Sequence, residues 1–168
     1  NDANFKDGVF IHVPKETKVE VPIHILNVFT DSEKPFYATP RVLYVGEAYS
    51  KSTVVEEHIG LAENEYLNIP VAEFKMLEES NFTIDGLVLI DGEQIADTHS
   101  AIDHRHWHAQ SHQLHKVVVN DKAHSIFNGK IFVREDSQKI DSFQENRNLL
   151  LSFDGTVHTK PQLEIFSD

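Results

Sequence analysis

The residues best suited to chemistry in this chain are its histidines, which number 11 in 168 residues and lie mostly between His99 and His124. Within that stretch His104, His106 and His108 occupy alternate positions. If the segment is an extended strand, alternate side chains point to one face, and three imidazoles there could bind zinc, iron or nickel. The other interpretation is an exposed polar loop or strand face without a ligand. The spacing predicts a candidate metal site and leaves both interpretations open.

Other catalytic patterns are weaker. No nucleophile-elbow glycines surround a serine, and Gly129-Lys130 lacks the earlier glycines of a phosphate-binding loop. The chain has no cysteine, hence no thiol nucleophile or thiolate metal site. The adjacent acids Glu56-Glu57 and Glu78-Glu79 could serve glycoside hydrolysis, but neighbouring residues on a strand point to opposite faces. A metal-dependent or carbohydrate-acting β-fold enzyme that uses the cluster from His104 to His108 is therefore the alternative function.

The charge balance excludes two classes of partner. The chain has 15 Lys and Arg against 27 Asp and Glu, a formal net charge of −12. Such a chain repels nucleic-acid phosphates and anionic lipid, so we expect neither nucleic-acid nor membrane binding. No apolar run approaches the roughly 18 residues of a membrane span, and Asn1-Asp2-Ala3-Asn4 does not resemble a signal peptide. We expect one domain over residues 1–168.

The apolar residues predict strands, because they alternate or form short β-branched runs bounded by turn residues. The predicted strands are 8–13, 19–25, 41–45, 87–90, 116–119, 130–133 and 149–151. The best helical candidate is Val71 to Glu79, and Pro35 and Pro40 bracket a predicted loop.

A repeat suggests how these strands are arranged. Four segments share an apolar run, a turn and a small or branched residue followed by Asp or His, and His124, Asp141 and His158 follow one another at intervals of 17. The longer step from Asp97 to His124 is interpreted as one period plus an insertion of about ten residues around His104. Repeats made only of strands and turns indicate a solenoid with stacked rungs, and a parallel β-helix is the expected all-β fold. A jelly roll or sandwich is the alternative.

Several segments together resemble the SufB/SufD family of iron–sulfur cluster assembly proteins, and within it the SufD side. The matching segments are 54–58, 97–99, 111–116, 127–133, 138–141, 144–151 and 159–165. The likeness covers most of residues 40–168 and is strongest from Asn81 onward. His104 and His108 fall where histidine is familiar in this family, whereas His106 is particular to this chain.

The resemblance implies a right-handed parallel β-helix and a non-catalytic scaffold subunit. Family members on the SufD side pair with SufB and with SufC, the ATPase of the system, and are linked to iron supply. We therefore expect no tightly bound cofactor, only iron or an iron–sulfur cluster in transit at the level of the complex. The bacterial cytoplasm is the expected location, or a plastid if the source is a photosynthetic eukaryote.

Departures from the family pattern suggest a fragment of the β-helix core that lacks the terminal helical regions, with rungs missing between Ser80 and Asn81. A solenoid cut at its last rung leaves backbone groups unpaired. We therefore expect this end to contact SufB or a second copy of the chain. The expected interface residues are Lys160, Pro161, Gln162, Leu163, Glu164, Ile165 and Phe166.

Overall fold

The computed structural model describes residues 7–166, so the ends of the expected domain, 1–6 and 167–168, lie outside the described residues. In this range the chain forms thirteen β-strands, and no helix there is long and apolar enough to cross a membrane. The strands are β1 (Gly8–Val13), β2 (Ile23–Phe29), β3 (Phe36–Ala38), β4 (Arg41–Gly46), β5 (Lys51–Gly60), β6 (Tyr66–Asn68), β7 (Val71–Met76), β8 (Asn81–Ile90), β9 (Ile95–His104), β10 (Gln110–Val119), β11 (His124–Val133), β12 (Asp141–Leu150) and β13 (Thr156–Ile165).

The strands form two sheets, and every strand pairing is parallel. One sheet runs β1-β4-β7-β9-β11-β13, with β3 paired to β6 and β6 to β9 beside that path, and the other runs β12-β10-β8-β5-β2. Gln110 pairs with Asn81 on one side and with Asp141 on the other, so one turn takes about 30 residues and visits both sheets once. The chain is a β-solenoid of about five turns, which confirms the expected fold class. A sandwich built of antiparallel strands is excluded.

The spacing of 17 residues marks half a turn rather than a whole one. His124 and His158 lie in β11 and β13 of one sheet, whereas Asp141 begins β12 of the other. The insertion predicted between Asp97 and His124 is wrong, because the whole of β10 occupies that interval. The first half of β10 is polar, so the apolar pattern in the sequence predicted only the end of this strand, at 116–119.

Two local predictions are also wrong. Val71–Met76 is strand β7 instead of a helix, because Val71 pairs with Arg41 on one side and His99 on the other. Ladder hydrogen bonds from both neighbours outweigh a weak local helical pattern. The predicted loop between Pro35 and Pro40 contains strand β3.

The corners that lead into the β12-β10-β8-β5-β2 sheet share one backbone conformation. In each, one non-glycine residue has a positive φ between 48° and 62°. These residues are Glu16, Tyr49, Glu79, His108 and Lys139. Successive corners are joined by hydrogen bonds: the backbone N–H of Glu79 donates to the carbonyl of Trp107, and that of His108 to Gln138. Pairing with the next corner fixes the chain path through the segment that contains His108.

The interior has two apolar clusters separated by polar side chains. One is built around Tyr44, Phe74 and Phe82, whose ring centroids lie 4.3–6.1 Å apart. The other includes Tyr66 and Val117. Buried apolar area of this kind is the main stabilising contribution to a stacked solenoid.

The chain passes from Ser80 to Asn81 without a break in the coil. Ser80 is fully buried at the corner, and Asn81 begins β8, where it pairs with Lys51 and Gln110. The prediction of missing rungs concerns additional residues in family members at this point, and it stays a prediction.

Candidate functional site

The three histidines at alternate positions do not share a strand face. His104 is the last residue of β9 and is fully buried, whereas His106 and His108 are exposed in the corner that follows. The premise of one extended segment is wrong, because the solenoid must turn here and His108 adopts the left-handed corner conformation, with a φ of 60°. Metal binding by His104, His106 and His108 stays a prediction.

His104 belongs to a buried hydroxyl network. Its Nε2 lies 2.9 Å from the Oγ of Ser111, which lies 2.8 Å from the Oγ of Ser142 on the next turn. Burial lowers the pKa of His104 to about 4, against a smaller opposing effect of Asp103. The imidazole is therefore neutral near pH 7, and its Nδ1 has no hydrogen-bond partner. Within residues 7–166, no three His, Cys, Asp or Glu side chains are arranged to hold a metal ion.

A second polar group lies inside the solenoid. The Asn68 side-chain amide donates to Nδ1 of His58 over 3.0 Å, so Nε2 of His58 carries the proton and donates to Glu56 over 3.0 Å. Beside it the Gln113 amide donates to Ser100 over 2.9 Å, and the Gln144 amide donates to Gln113 over 2.7 Å. These contacts satisfy polar groups that would be costly to bury alone.

His115 borders a small cavity in this polar interior. Glu56, Gly86, His115 and Asn146 occupy one register column, and Gly86 leaves space between the two larger neighbours. The cavity has a volume of about 20 Å³, and Nε2 of His115 has no hydrogen-bond partner. Burial, followed by the proximity of His58, lowers the pKa of His115 to about 3. The site is large enough for roughly one water molecule.

The adjacent acids are separated as expected. Glu56 points inward, whereas Glu57 points outward and lies 2.9 Å from Nε2 of His24. Glu78 and Glu79 lie in a corner between the sheets. Neither pair brings two carboxylates together across a cleft, and no observation favours glycoside hydrolysis.

The last turn of the described chain has an uncovered core. Leu163 and Ile165 of β13 pair in register with Ile131 and Val133, which are buried, yet each is itself 60% exposed. Leu150 on β12 is likewise exposed beside buried Val119. The predicted interface from Lys160 to Phe166 thus lies on the edge strand β13 and the residue after it.

The two edges of this end differ in their backbone hydrogen-bonding groups. The backbone N–H groups of Thr156 and Phe166 donate to carbonyls on the side of β11. The backbone groups of the odd-numbered residues of β13, including Pro161, therefore point to the open edge. Proline has no N–H, which interrupts this edge. On β12, the backbone N–H groups of Asp141 and Leu151 donate toward β10. The backbone N–H and C=O groups of the even-numbered residues therefore point to the open edge, and none of these residues is a proline. The β12 edge is therefore the better template for an added strand.

The sequence indicated the histidine segment but missed the interior polar group. The sequence signal of this polar group lies in β5, where Ser52, Val54, Glu56 and His58 occupy alternate positions and all are buried. Since polar residues at alternate positions normally indicate an exposed face, only the pairing of β5 between two other strands shows that they lie inside.

Comparison with known proteins gives a consistent set of relatives. The family model described as SUF system FeS cluster assembly, SufBD core domain, matches residues 73–168. An iron–sulfur cluster assembly SufBD family protein of Synechocystis is 26% identical over 231 residues, covering 100% of this chain and 51% of the relative. That alignment is longer than the 168 residues of this chain.

Two shorter matches fall within the same group. The iron–sulfur cluster assembly protein SufD of Escherichia coli is 38% identical over 91 residues, covering 54% of this chain and 22% of the relative. The chloroplastic protein ABCI7 of Arabidopsis thaliana is 38% identical over 77 residues, covering 45% of this chain and 16% of the relative. The chain thus spans about half the length of the Synechocystis protein and less of the other two.

Proposed function

Because this chain belongs to the family of SUF system SufBD core domains, we propose that it is part of a scaffold subunit for iron–sulfur cluster assembly that pairs with SufB and SufC. The likeness to SufD of Escherichia coli supports a place on the SufD side of the family. In this role the subunit is non-catalytic, and ATP hydrolysis belongs to SufC. Iron or a cluster is cargo of the complex rather than a resident cofactor of this chain.

The observation that carries this proposal is the family match over residues 73–168 of a parallel β-solenoid. Its core columns end in exposed Leu163 and Ile165, and Phe153 in the preceding corner is fully exposed. Exposed apolar side chains at both ends of this edge strand favour a protein contact there. We propose that SufB covers this end, and that a second copy of the chain is the competing occupant.

The backbone edges refine how that contact forms. A partner strand adding to β12 finds an uninterrupted series of N–H and C=O groups, whereas on β13 it meets Pro161. We therefore assign backbone pairing to β12 and side-chain packing to the residues from Lys160 to Phe166.

The relatives support a location without fixing it. One is from Escherichia coli, and another carries the description chloroplastic. We propose the bacterial cytoplasm, or the plastid if the source is a photosynthetic eukaryote.

The test is co-purification of the full-length protein with SufB and SufC from the same source. We expect a stable ternary complex, and at least tenfold weaker SufB binding for Leu163→Asp/Ile165→Asp, because both side chains lose an apolar contact. Phe153→Asp is a second variant that places no charge in the core, since Phe153 is fully exposed. The matched control is Val21→Asp, which changes an exposed residue outside the end turn. Absence of SufB binding, or unchanged binding by both end variants, would contradict the proposal.

A further inference from the structure

The outer face of the β12-β10-β8-β5-β2 sheet carries a row of aliphatic side chains that is separate from the end of the solenoid. One outward-facing residue from each of the five strands occupies the same register position. These residues are Val28, Ile59, Leu89, Val118 and Leu149, here called the aliphatic row. Val28 and Leu149 are 45% and 55% exposed, and the other three are partly exposed. Leu26 and Leu87 widen the row on one side.

The outer face of the other sheet is different in character. Its strands carry ion pairs between neighbouring turns, including Lys130 with Glu164 at 2.5 Å and Arg134 with Asp103 at 2.7 Å. Exposed aliphatic rows are therefore not a general property of the exterior of this solenoid. An apolar strip that crosses every strand of one sheet indicates a contact surface.

Acidic corners border the aliphatic row along one side. The corners that follow the strands of this sheet are residues 31–35, 61–65, 91–94, 120–123 and 152–155, and together they contain eight Asp and Glu against two Lys. One of these lysines, Lys122, is already paired with Glu93 at 3.3 Å. The opposite side is mixed, because Glu57, Lys116 and Arg147 share one register position with Leu26 and Leu87. A partner on this row thus meets apolar contact in the middle and negative charge on one flank.

We propose that the aliphatic row docks an amphipathic helix of a partner protein, with Lys or Arg along the flank that faces the acidic corners. Strands about 4.8 Å apart give a row of roughly 19 Å over five strands, which a helix of about 13 residues spans. Leucines at i, i+3, i+4 and i+7 would supply the matching apolar stripe. A second copy of the chain would bring its own acidic corners against these, and an anionic lipid surface would be repelled in the same way.

The experiment uses the full-length protein and two labelled 14-residue model peptides. Both carry leucines at helical spacing, and one flank carries Lys in the first peptide and Glu in the second. We expect the Lys peptide to bind, the Glu peptide to bind at least tenfold more weakly, and the Lys-peptide affinity to fall as salt rises. In Leu89→Ser/Val118→Ser the Lys-peptide affinity should drop at least tenfold.

The matched control is Leu43→Ser/Ile126→Ser, which removes two partly exposed aliphatic side chains from the outer face of the other sheet and should leave binding unchanged. Glu93→Gln/Asp121→Asn tests the charge separately, because both residues are exposed in corners, and should weaken the Lys peptide about threefold or more. Failure of the Lys peptide to bind, or equal binding of both peptides, would overturn the proposal. So would a dimer in light scattering that disappears in Leu89→Ser/Val118→Ser, since a second copy would then cover the row.

Discussion

Ile102, Ile131 and Leu163 occupy one register column on three successive turns, yet the first two are buried and the third is 60% exposed. The chemistry of the three side chains is nearly the same. What differs is that Ile102 and Ile131 have a strand on both sides, whereas in the described chain Leu163 has one only on the side of β11. Burial in a solenoid is thus decided by the neighbouring turn rather than by residue type. Inward-facing side chains of the middle turns are therefore buried, whereas those of the last described turn are exposed.

The largest difference in stability between buried and exposed positions should appear when an aromatic side chain is truncated. Phe74 is fully buried between Tyr44 and Phe82, so Phe74→Ala removes a large side chain that its neighbours cannot fully replace. We expect the free energy of unfolding to fall by about 3–5 kcal/mol, measured by urea denaturation. The matched control is Phe143→Ala on the edge strand β12, where the side chain is 48% exposed and the loss should stay near 1 kcal/mol. Phe143 lies on the outer face in register with exposed His112, so equal losses would mean that side chains on the outer face are as enclosed as those of the interior.

The same comparison can be made within one column. Ile131→Ala should lower the free energy of unfolding by about 2–4 kcal/mol, because the space it leaves is enclosed by Ile102 and Leu163. Leu163→Ala should cost under about 1 kcal/mol in the isolated chain, since much of that side chain is already in water. Adding SufB should enlarge the effect of Leu163→Ala on complex stability, and an effect that stays small would contradict coverage of this end.

Histidines in the closed turns should make stability depend on pH. The pKa values of His104 and His115 are lowered from 6.5 to about 4 and about 3 by burial, so the unfolded chain takes up protons before the folded chain does. Their contribution is fully present above about pH 6.5 and is lost as the pH falls toward 4 and 3. Each should lower the free energy of unfolding by roughly 2 kcal/mol between pH 7 and pH 5.

The measurement is urea denaturation of His115→Gln and His104→Gln across this range. In each variant, the slope of the free energy of unfolding against pH should correspond to up to one proton fewer than in the unchanged chain. A slope that survives both buried substitutions would place the titrating groups elsewhere.

The sequence predicted the architecture well because the corners and the apolar halves of the strands carry local signals. Gly8–Val13 matches β1, and the runs at 87–90 and 116–119 are the apolar ends of β8 and β10. The polar halves were missed because Gln113 and His115 are buried by register with neighbouring turns, which no local pattern reveals. The expectation that His104, His106 and His108 share one strand face was wrong for the same reason, since His104 lies inside and His108 is held in a corner by pairing with Gln138.

The smallest expected effect concerns the two backbone edges of the open turn. Pro161 removes one outward N–H from β13, and Pro161→Val restores it at a residue whose side chain is exposed. Strand addition to this edge should then become easier, so we expect a several-fold rise in self-association, measured by light scattering over a concentration series.

Gln144→Pro would remove an equivalent N–H from β12, but it also removes the amide contact to Gln113. Asn148→Pro is therefore the cleaner counterpart, because the side chain of Asn148 is exposed. If β12 is the preferred template, the fold loss of SufB affinity in Asn148→Pro should exceed the fold gain of self-association in Pro161→Val. A larger fold change in Pro161→Val would assign backbone pairing to β13.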